Sequence, residues 1–151
     1  MNTNEYLKSD KRLIQFEGNS DEPVGFSAYA TVERTYTNND IVLYDELISN
    51  FGEYFDLDLD VFVCPYSGIY WFSLSCYNDP GYGCLPAITI EGNMLVQAIG
   101  PTDNEDRNSG SVSTIAECNA GQRVWVKNGG TTSVYSIQNA RANTFSGFFA
   151  A

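Results

Sequence analysis

The chain of 151 residues has the length of a single domain. Hydrophobic residues make up 43% of it and charged residues 18%, which supports a packed core and excludes a disordered chain. The net charge is −11, from 19 acidic and 8 basic residues. We therefore expect no nucleic-acid partner, because phosphate binding needs clustered Lys and Arg. No apolar run is long enough to cross a bilayer, so no membrane insertion is expected either.

Two regions are predicted along the chain. Residues 1–23 form an N-terminal segment with one apolar cluster at Leu13, Ile14 and Phe16, whose role the sequence leaves open. Residues 24–151 form the globular domain. The N-terminus lacks the positive and apolar regions of a signal peptide, and we expect a chain from which the signal was removed.

Alternating apolar residues and turn signals predict an all-β domain of about ten short strands. The predicted strands cover residues 24–32, 41–43, 57–64, 69–77, 87–90, 94–99, 111–117, 123–127, 133–137 and 144–149. Residues 100–110 are rich in Asp, Asn, Pro and Gly and are predicted to form a long loop. The nearest approach to a helical pattern is Asp45–Phe51, which is interpreted as one short turn. This strand spacing is typical of a sandwich or jelly roll.

The four cysteines are Cys64, Cys76, Cys84 and Cys118. They show no C-x-x-C or other zinc-ligand spacing, and the chain has no His. An even count without metal spacing predicts two disulfides and an oxidising, extracellular compartment, and a cytosolic protein with free thiols is the alternative. Sequence alone allows three pairings.

Enzyme signatures are missing from the sequence. Without His there is no Ser-His-Asp or Cys-His pair, and no glycine-rich phosphate loop follows a strand. We therefore expect a protein that is not an enzyme and that has no cofactor, apart from a calcium candidate. Asp56, Asp58 and Asp60 alternate, so an extended chain would place all three on one face, where carboxylates suit calcium. The favoured interpretation of the same pattern is the solvated face of a half-buried strand.

Two polar loops are candidate ligand sites. The first, residues 77–83, carries Tyr77, Asn78, Asp79 and Tyr82, and the second, residues 100–110, carries Asp103, Asn104, Glu105, Asp106 and Arg107. Aromatic rings beside amide and carboxylate groups stack on a sugar and hydrogen-bond it. The same composition is also ordinary for solvated loops, and this simpler interpretation is favoured.

Several stretches together resemble the complement C1q-type globular domain. They are Val24-Gly25-Phe26-Ser27-Ala28, Phe62-x-Cys64-Pro65, Gly68-Ile69-Tyr70-Trp71-Phe72-Ser73, Gly121-Gln122-Arg123-Val124-Trp125-Val126 and the C-terminal Phe145-Ser146-Gly147-Phe148-Phe149. Their order and spacing over residues 24–149 carry the resemblance. Two departures are Asp60, where the family usually has Gly, and Gln122, where it often has Asp. No Gly-x-y collagen repeat precedes the domain.

The resemblance implies a ten-stranded jelly roll that assembles as a homotrimer. It also implies a disulfide between Cys64 and Cys84, which leaves Cys76 and Cys118 to pair. The implied function is soluble, secreted and lectin-like: recognition of carbohydrate or microbial surface patterns in innate immunity. Two alternatives stay open, an acidic matrix protein that binds calcium and a trimeric ligand for a receptor.

Overall fold

The computed structural model describes residues 22–130, 132–135 and 141–151, and residues 1–21 of the predicted N-terminal segment lie outside this range. The described chain contains strands and loops, and no helix in it is long and apolar enough to cross a bilayer. Its twelve strands are β1 (Gly25–Tyr29), β2 (Arg34–Tyr36), β3 (Glu46–Phe51), β4 (Phe55–Asp56), β5 (Val61–Val63), β6 (Gly68–Asn78), β7 (Pro86–Ile90), β8 (Asn93–Gln97), β9 (Asn108–Cys118), β10 (Arg123–Asn128), β11 (Ser133–Tyr135) and β12 (Thr144–Phe149).

The strands form two antiparallel sheets. The seven-stranded sheet has the order β2-β11-β6-β12-β1-β3, with β9 paired to β6, and the five-stranded sheet has the order β4-β5-β10-β7-β8. Strands that follow each other in sequence often lie in different sheets, as β5 and β6 do. This arrangement is a jelly roll, and it confirms the predicted all-β fold class.

The core between the sheets is dominated by aromatic rings. Along β6, Tyr70, Phe72 and Leu74 are at most 1% exposed, while the residues between them face outward, because side chains alternate along a strand. Phe26 stacks on Phe62 with ring centroids 4.8 Å apart and meets Phe145 edge-on at 4.8 Å. Such pairs contribute about 0.5–1.5 kcal/mol each beyond their buried area.

Gly147 explains why the C-terminal motif has a glycine between its aromatic residues. A Cβ at this position would lie 2.5 Å from Cδ1 of Phe72 and 2.8 Å from Cε1 of Phe26. The two rings therefore close over the backbone of β12, and any side chain there would push the sheets apart.

Two strand predictions and one helical-turn prediction differ from the structure. Ile41 forms one isolated bridge with Lys127, and Val42 N donates to Val126 O at 2.9 Å. No strand forms at 41–43 because the two N–H groups that follow are bound by side chains: Leu43 N donates to Tyr36 Oη (3.0 Å) and Tyr44 N donates to Asp60 Oδ1 (2.6 Å). The interpretation of Asp45–Phe51 as a helical turn is wrong. It is strand β3, and a bulge opposite Ser27 produces its helix-like spacing.

The predicted strand at 57–64 is also wrong over its first half, because residues 57–60 form a turn between β4 and β5. Asp60 closes this turn with φ = 54°, in the left-handed region that favours glycine. Asp60 therefore occupies a position whose backbone geometry suits glycine, and Asp is among the residues that tolerate it.

The predicted disulfide pairing is wrong. The bonds are Cys64–Cys118 and Cys76–Cys84, and no described cysteine is free. Gly68 pairs with Cys118 in the β6–β9 ladder, and the turn before β6 brings Cys64 back to this end. Cys84 lies beyond the other end of β6, whose eleven residues span roughly 35 Å. Cys64 and Cys84 therefore lie too far apart to bond.

The outward face of the seven-stranded sheet carries two parallel rows of side chains. We call the first the apolar row. Its members, in register across five strands, are Phe51, Gly25, Phe148, Trp71 and Ile115. The second, the serine row, follows it in register and consists of Ser49, Ser27, Ser146, Ser73 and Ser113. Ile115 is 70% exposed and Phe51 56%, so this face leaves large apolar side chains in water.

Candidate functional site

The β6–β9 ladder brings the two predicted loops together. Its last pair joins Asn78 to Asn108. The loop that leaves β6 (79–85) therefore begins beside the point where the loop that enters β9 (98–107) ends, at one end of the sandwich. Since antiparallel pairing fixes this neighbourhood, two loops that are distant in sequence form one surface. We call this surface the loop platform.

Backbone hydrogen bonds hold the platform together. Cys84 N donates to Gly100 O at 3.0 Å, and Gly100 N donates to Cys84 O at 2.8 Å. Gly81 N donates to Asp103 O at 2.6 Å. The Cys76–Cys84 disulfide ties the first loop to β6 beneath these contacts. The platform is therefore preorganised, which lowers the entropy lost when a ligand binds.

Asn78, predicted to contact ligand, is fully buried. Its side-chain amide donates to Pro101 O (3.3 Å) and to Tyr82 O, so it bonds both loops from below. The prediction that Asn78 contacts a ligand is wrong. Its side chain lies beneath the two loops, where its amide donates hydrogen bonds to their backbone carbonyl groups.

An ion pair lies at the surface of the platform. Arg107 Nε lies 3.2 Å from Asp79 Oδ1, with 43% and 19% of the two side chains exposed. Tyr82 shares the turn of Asp79, since Tyr82 N donates to Asp79 O at 3.2 Å, and its side chain is exposed. This surface combines an aromatic ring, a hydrogen-bond acceptor and a planar donor.

The tip of the second loop is acidic. Asp103 Oδ1 accepts hydrogen bonds from Glu105 N (2.8 Å) and Asp106 N (3.1 Å), and these two bonds hold the pKa of Asp103 below its usual range. Asp103 thus shapes its own loop, while Asn104 and Asp106 are exposed beside it. The predicted loop end at Gly110 is corrected to Arg107, because β9 begins at Asn108.

Tyr77 lies two residues before the first platform loop, on the outward face of β6 opposite Ser109. It is partly exposed, and its backbone N–H donates to Asn143 Oδ1 at 2.9 Å. Its ring therefore belongs to the same face as the serine row rather than to the loops.

The three alternating aspartates do not share a face, because they lie in a turn. Asp56 Oδ1 accepts from Asp58 N (2.8 Å) and Leu59 N (3.1 Å), whereas Asp60 is 7% exposed and points inward. In the part of the chain that the structure describes, no group of three His, Cys, Asp or Glu side chains is arranged to hold a metal ion.

Burial moves the pKa of Asp60. Desolvation raises the pKa of its carboxyl to about 6, and the hydrogen bond from Tyr44 N and the charge of Arg34 only partly oppose this shift. Asp45 and Asp56 add smaller repulsions in the same direction as the burial. Asp60 is therefore an internal carboxyl rather than a surface ligand.

Sequence reasoning did not find the apolar row. It borders an open depression of about 240 Å³ whose lining includes Phe51, Trp71 and Phe148. Trp71 and Phe148 pack with ring centroids 5.4 Å apart. The alternation of β6 marks Trp71 as outward-facing, but Phe51 and Phe148 meet it through strand pairing that the sequence does not display.

Comparisons with known proteins agree on the family and fold. The model of the C1q domain family matches residues 25–150. The chain is similar in structure to the globular domain of zebrafish complement 1qA protein, with 15% identity, a TM-score of 0.68 and coverage of 85% of this chain and 98% of that one.

Two further solved structures share the fold. Murine APRIL at pH 5.0 matches with 13% identity and a TM-score of 0.65 over 84% of this chain and 98% of its own. Eiger TNF from S. frugiperda matches with 12% identity and a TM-score of 0.60 over 86% and 94%. Because the family model covers nearly the whole globular region, the chain belongs to the C1q domain family.

Proposed function

We propose that this protein is an extracellular recognition head that assembles as a homotrimer and binds surface carbohydrate with its loop platform. The observation that carries the carbohydrate proposal is the convergence of loops 79–85 and 98–107 on one preorganised surface. Two buried disulfides are in keeping with an extracellular location.

The chemistry of the platform suits a sugar. The exposed ring of Tyr82 offers a flat apolar surface for the C–H groups of a pyranose. The Asp79 carboxylate accepts and the Arg107 guanidinium donates, and neighbouring sugar hydroxyls need both. Single contacts of this kind are weak, so recognition of a surface would depend on several heads acting together.

The homotrimer is supported by the apolar row. Four large apolar side chains, on four of the five strands in this register, form an exposed patch, which monomeric proteins rarely leave in water. In the adjoining serine row the Ser27 and Ser146 hydroxyls bond each other at 2.6 Å, so a second copy can cover this pair while both hydroxyls keep a partner. We therefore place the contact between copies on this face.

A glycan array, run with and without calcium, tests the carbohydrate proposal. We expect saturable binding to defined glycans, and Tyr82→Ala and Arg107→Gln should each weaken it by about tenfold, which corresponds to about 1.4 kcal/mol. Leu59→Ala, which truncates a comparably exposed side chain on the 57–60 turn, is the matched control and should bind as wild type. If no glycan is bound in either condition, the carbohydrate proposal is wrong.

A further inference from the structure

Two ion pairs of the described residues each accompany an aromatic side chain, and one of them lies far from the loop platform. Arg123 Nη2 lies 3.1 Å from Glu91 Oε2, on the outer face of the five-stranded sheet. The guanidinium carbon of Arg123 also lies 5.9 Å from the ring centroid of Trp125. Together with Gly92 and Lys127, these residues form what we call the Trp125 cluster.

Strand alternation brings the cluster to the surface. Val124 and Val126 of β10 are fully buried, so Arg123, Trp125 and Lys127 project from the opposite face. Thr89, the cross-strand partner of Trp125, is 0% exposed, and its hydroxyl donates to Trp125 O at 2.9 Å. The backbone that carries the indole is therefore hydrogen-bonded to a neighbour that water does not reach.

The β7–β8 turn bends back over this strand. Glu91 (φ = 50°) and Gly92 (φ = 81°) are both left-handed, the geometry of a tight two-residue hairpin. Glu91 N donates to Arg123 O at 2.9 Å, and Arg123 N donates to Glu91 Oε1 at 2.7 Å. Lys127 Nζ donates to Gly92 O at 3.2 Å. The charged groups are thereby held in fixed positions around the indole.

Trp125 is partly exposed, and Gly92 lets the β7–β8 turn lie against one edge of its indole without a clash. A Cβ at this position would lie 3.3 Å from Cζ2 of Trp125 and would crowd the benzene edge of the ring. The ion pair also remains in contact with water, with 59% of the Arg123 side chain and 34% of the Glu91 side chain exposed. Because water already solvates both groups, ligand hydroxyls can replace that water without breaking the ion pair.

We propose that the Trp125 cluster is a second sugar-binding site, selective for pyranoses whose ring hydroxyls are all equatorial, as in glucose and its N-acetylated form. Such rings present only axial C–H groups on each face, which gives the flattest contact with an indole. Their vicinal hydroxyls match the neighbouring acceptor of Glu91 and donor of Arg123. The inference takes its ligand class from the proposed function but uses a different surface.

Indole N–H signals in a ¹⁵N NMR titration test this site directly. The chain has two tryptophans, and Trp125→Phe assigns their signals. On addition of cellotriose, the Trp125 signal should shift and saturate, and Tyr82→Ala should leave this shift unchanged. Arg123→Gln and Glu91→Gln should weaken it at least tenfold. Arg141→Gln, which removes a cation 4.5 Å from the ring centroid of Tyr29, is the matched control and should have no effect.

The outcomes separate the two proposals. If glycans bind and depend on Tyr82 while cellotriose leaves the Trp125 signal unmoved, the second site is wrong and the loop platform stands. If cellotriose moves the Trp125 signal but array binding is insensitive to Tyr82 and Arg107, the second site stands and the platform is wrong. If α-1,2-mannobiose, with its axial hydroxyls, shifts the signal equally well, the stated selectivity is wrong.

Discussion

At the scale of single residues, Asp60 shows how backbone geometry and burial act on one side chain. Its left-handed φ of 54° closes the 57–60 turn, and its carboxyl accepts the Tyr44 N–H inside the protein. The folded chain holds the proton of this carboxyl up to about pH 6, compared with an ordinary value of 3.8. The stability that Asp60 contributes is therefore greatest below about pH 4 and is lost as the pH rises through 6.

Asp60→Asn should stabilise the protein at neutral pH. The amide keeps an acceptor for Tyr44 N and tolerates the left-handed backbone, but it carries no charge to bury. Relative to wild type, the free energy of unfolding should rise between pH 4 and pH 7 by up to about 3 kcal/mol, from about two pKa units at about 1.4 kcal/mol each. Urea unfolding at a series of pH values measures this difference.

Asp45→Asn is the control of opposite sign. Burial acts to raise the pKa of Asp45, but hydrogen bonds from the Thr31 hydroxyl and N–H prevail and lower it. Its contribution is present at neutral pH and lost on acidification, so this variant should be destabilised most at neutral pH. If Asp60→Asn gains no stability relative to wild type between pH 4 and pH 7, ionisation of the buried Asp60 carboxyl does not destabilise the fold and the prediction is wrong.

At the scale of strands and loops, the two disulfides serve different ends of the sandwich. Cys64–Cys118 closes a sequence separation of 54 residues and joins β5 to the end of β9. Cys76–Cys84 closes a separation of 8 residues and anchors the first platform loop to β6. The longer closure restricts the unfolded chain more, whereas the shorter one shapes the proposed site.

Removing each disulfide should therefore give distinct results. On the chain-entropy model, Cys64→Ala with Cys118→Ala should lower the free energy of unfolding by about 4 kcal/mol, and Cys76→Ala with Cys84→Ala by about 2.5 kcal/mol. Glycan binding should fall mainly in the variant without Cys76 and Cys84, because the first platform loop is then no longer bonded to β6. Denaturant unfolding measures the loss of stability, and the glycan array measures the loss of binding. An equal loss of binding in the two double variants would contradict a separate role for Cys76–Cys84.

At the scale of the whole molecule, the proposed trimer brings together copies of a highly charged chain. The net charge of −11 makes copies repel one another, and salt screens that repulsion. Burial of the large side chains on the seven-stranded sheet has to exceed it. Association should therefore strengthen as the salt concentration rises, whereas an assembly held by ion pairs would weaken.

Sedimentation tests the assembly. The wild type should sediment at about 50 kDa, three times the 16.7 kDa chain. Ile115→Glu should give monomers without unfolding, because Ile115 is 70% exposed and supports no core contact. Leu59→Glu, which adds the same charge at a 64% exposed position on the 57–60 turn, should remain trimeric. A monomeric wild type would show the homotrimer proposal to be wrong.

The sequence by itself determined the strands that alternate strongly, as β6 does, and the family, through motifs in order along the chain. These signals are local, because a strand with one buried face has an apolar residue at every second position. It also marked both loops of the platform, because Asp, Asn, Pro and Gly favour turns through their own backbone preferences.

Tertiary structure decided the features that depend on which strands meet. Pairing with β1 made residues 46–51 a strand, the register of β6 with β9 brought Cys118 to the end of β6 near Cys64, and the crossing of the loops buried Asn78. It also assembled the apolar row and the Trp125 cluster from residues far apart in sequence. Such contacts are long-range, and their energy depends on neighbours that no local pattern of residues specifies.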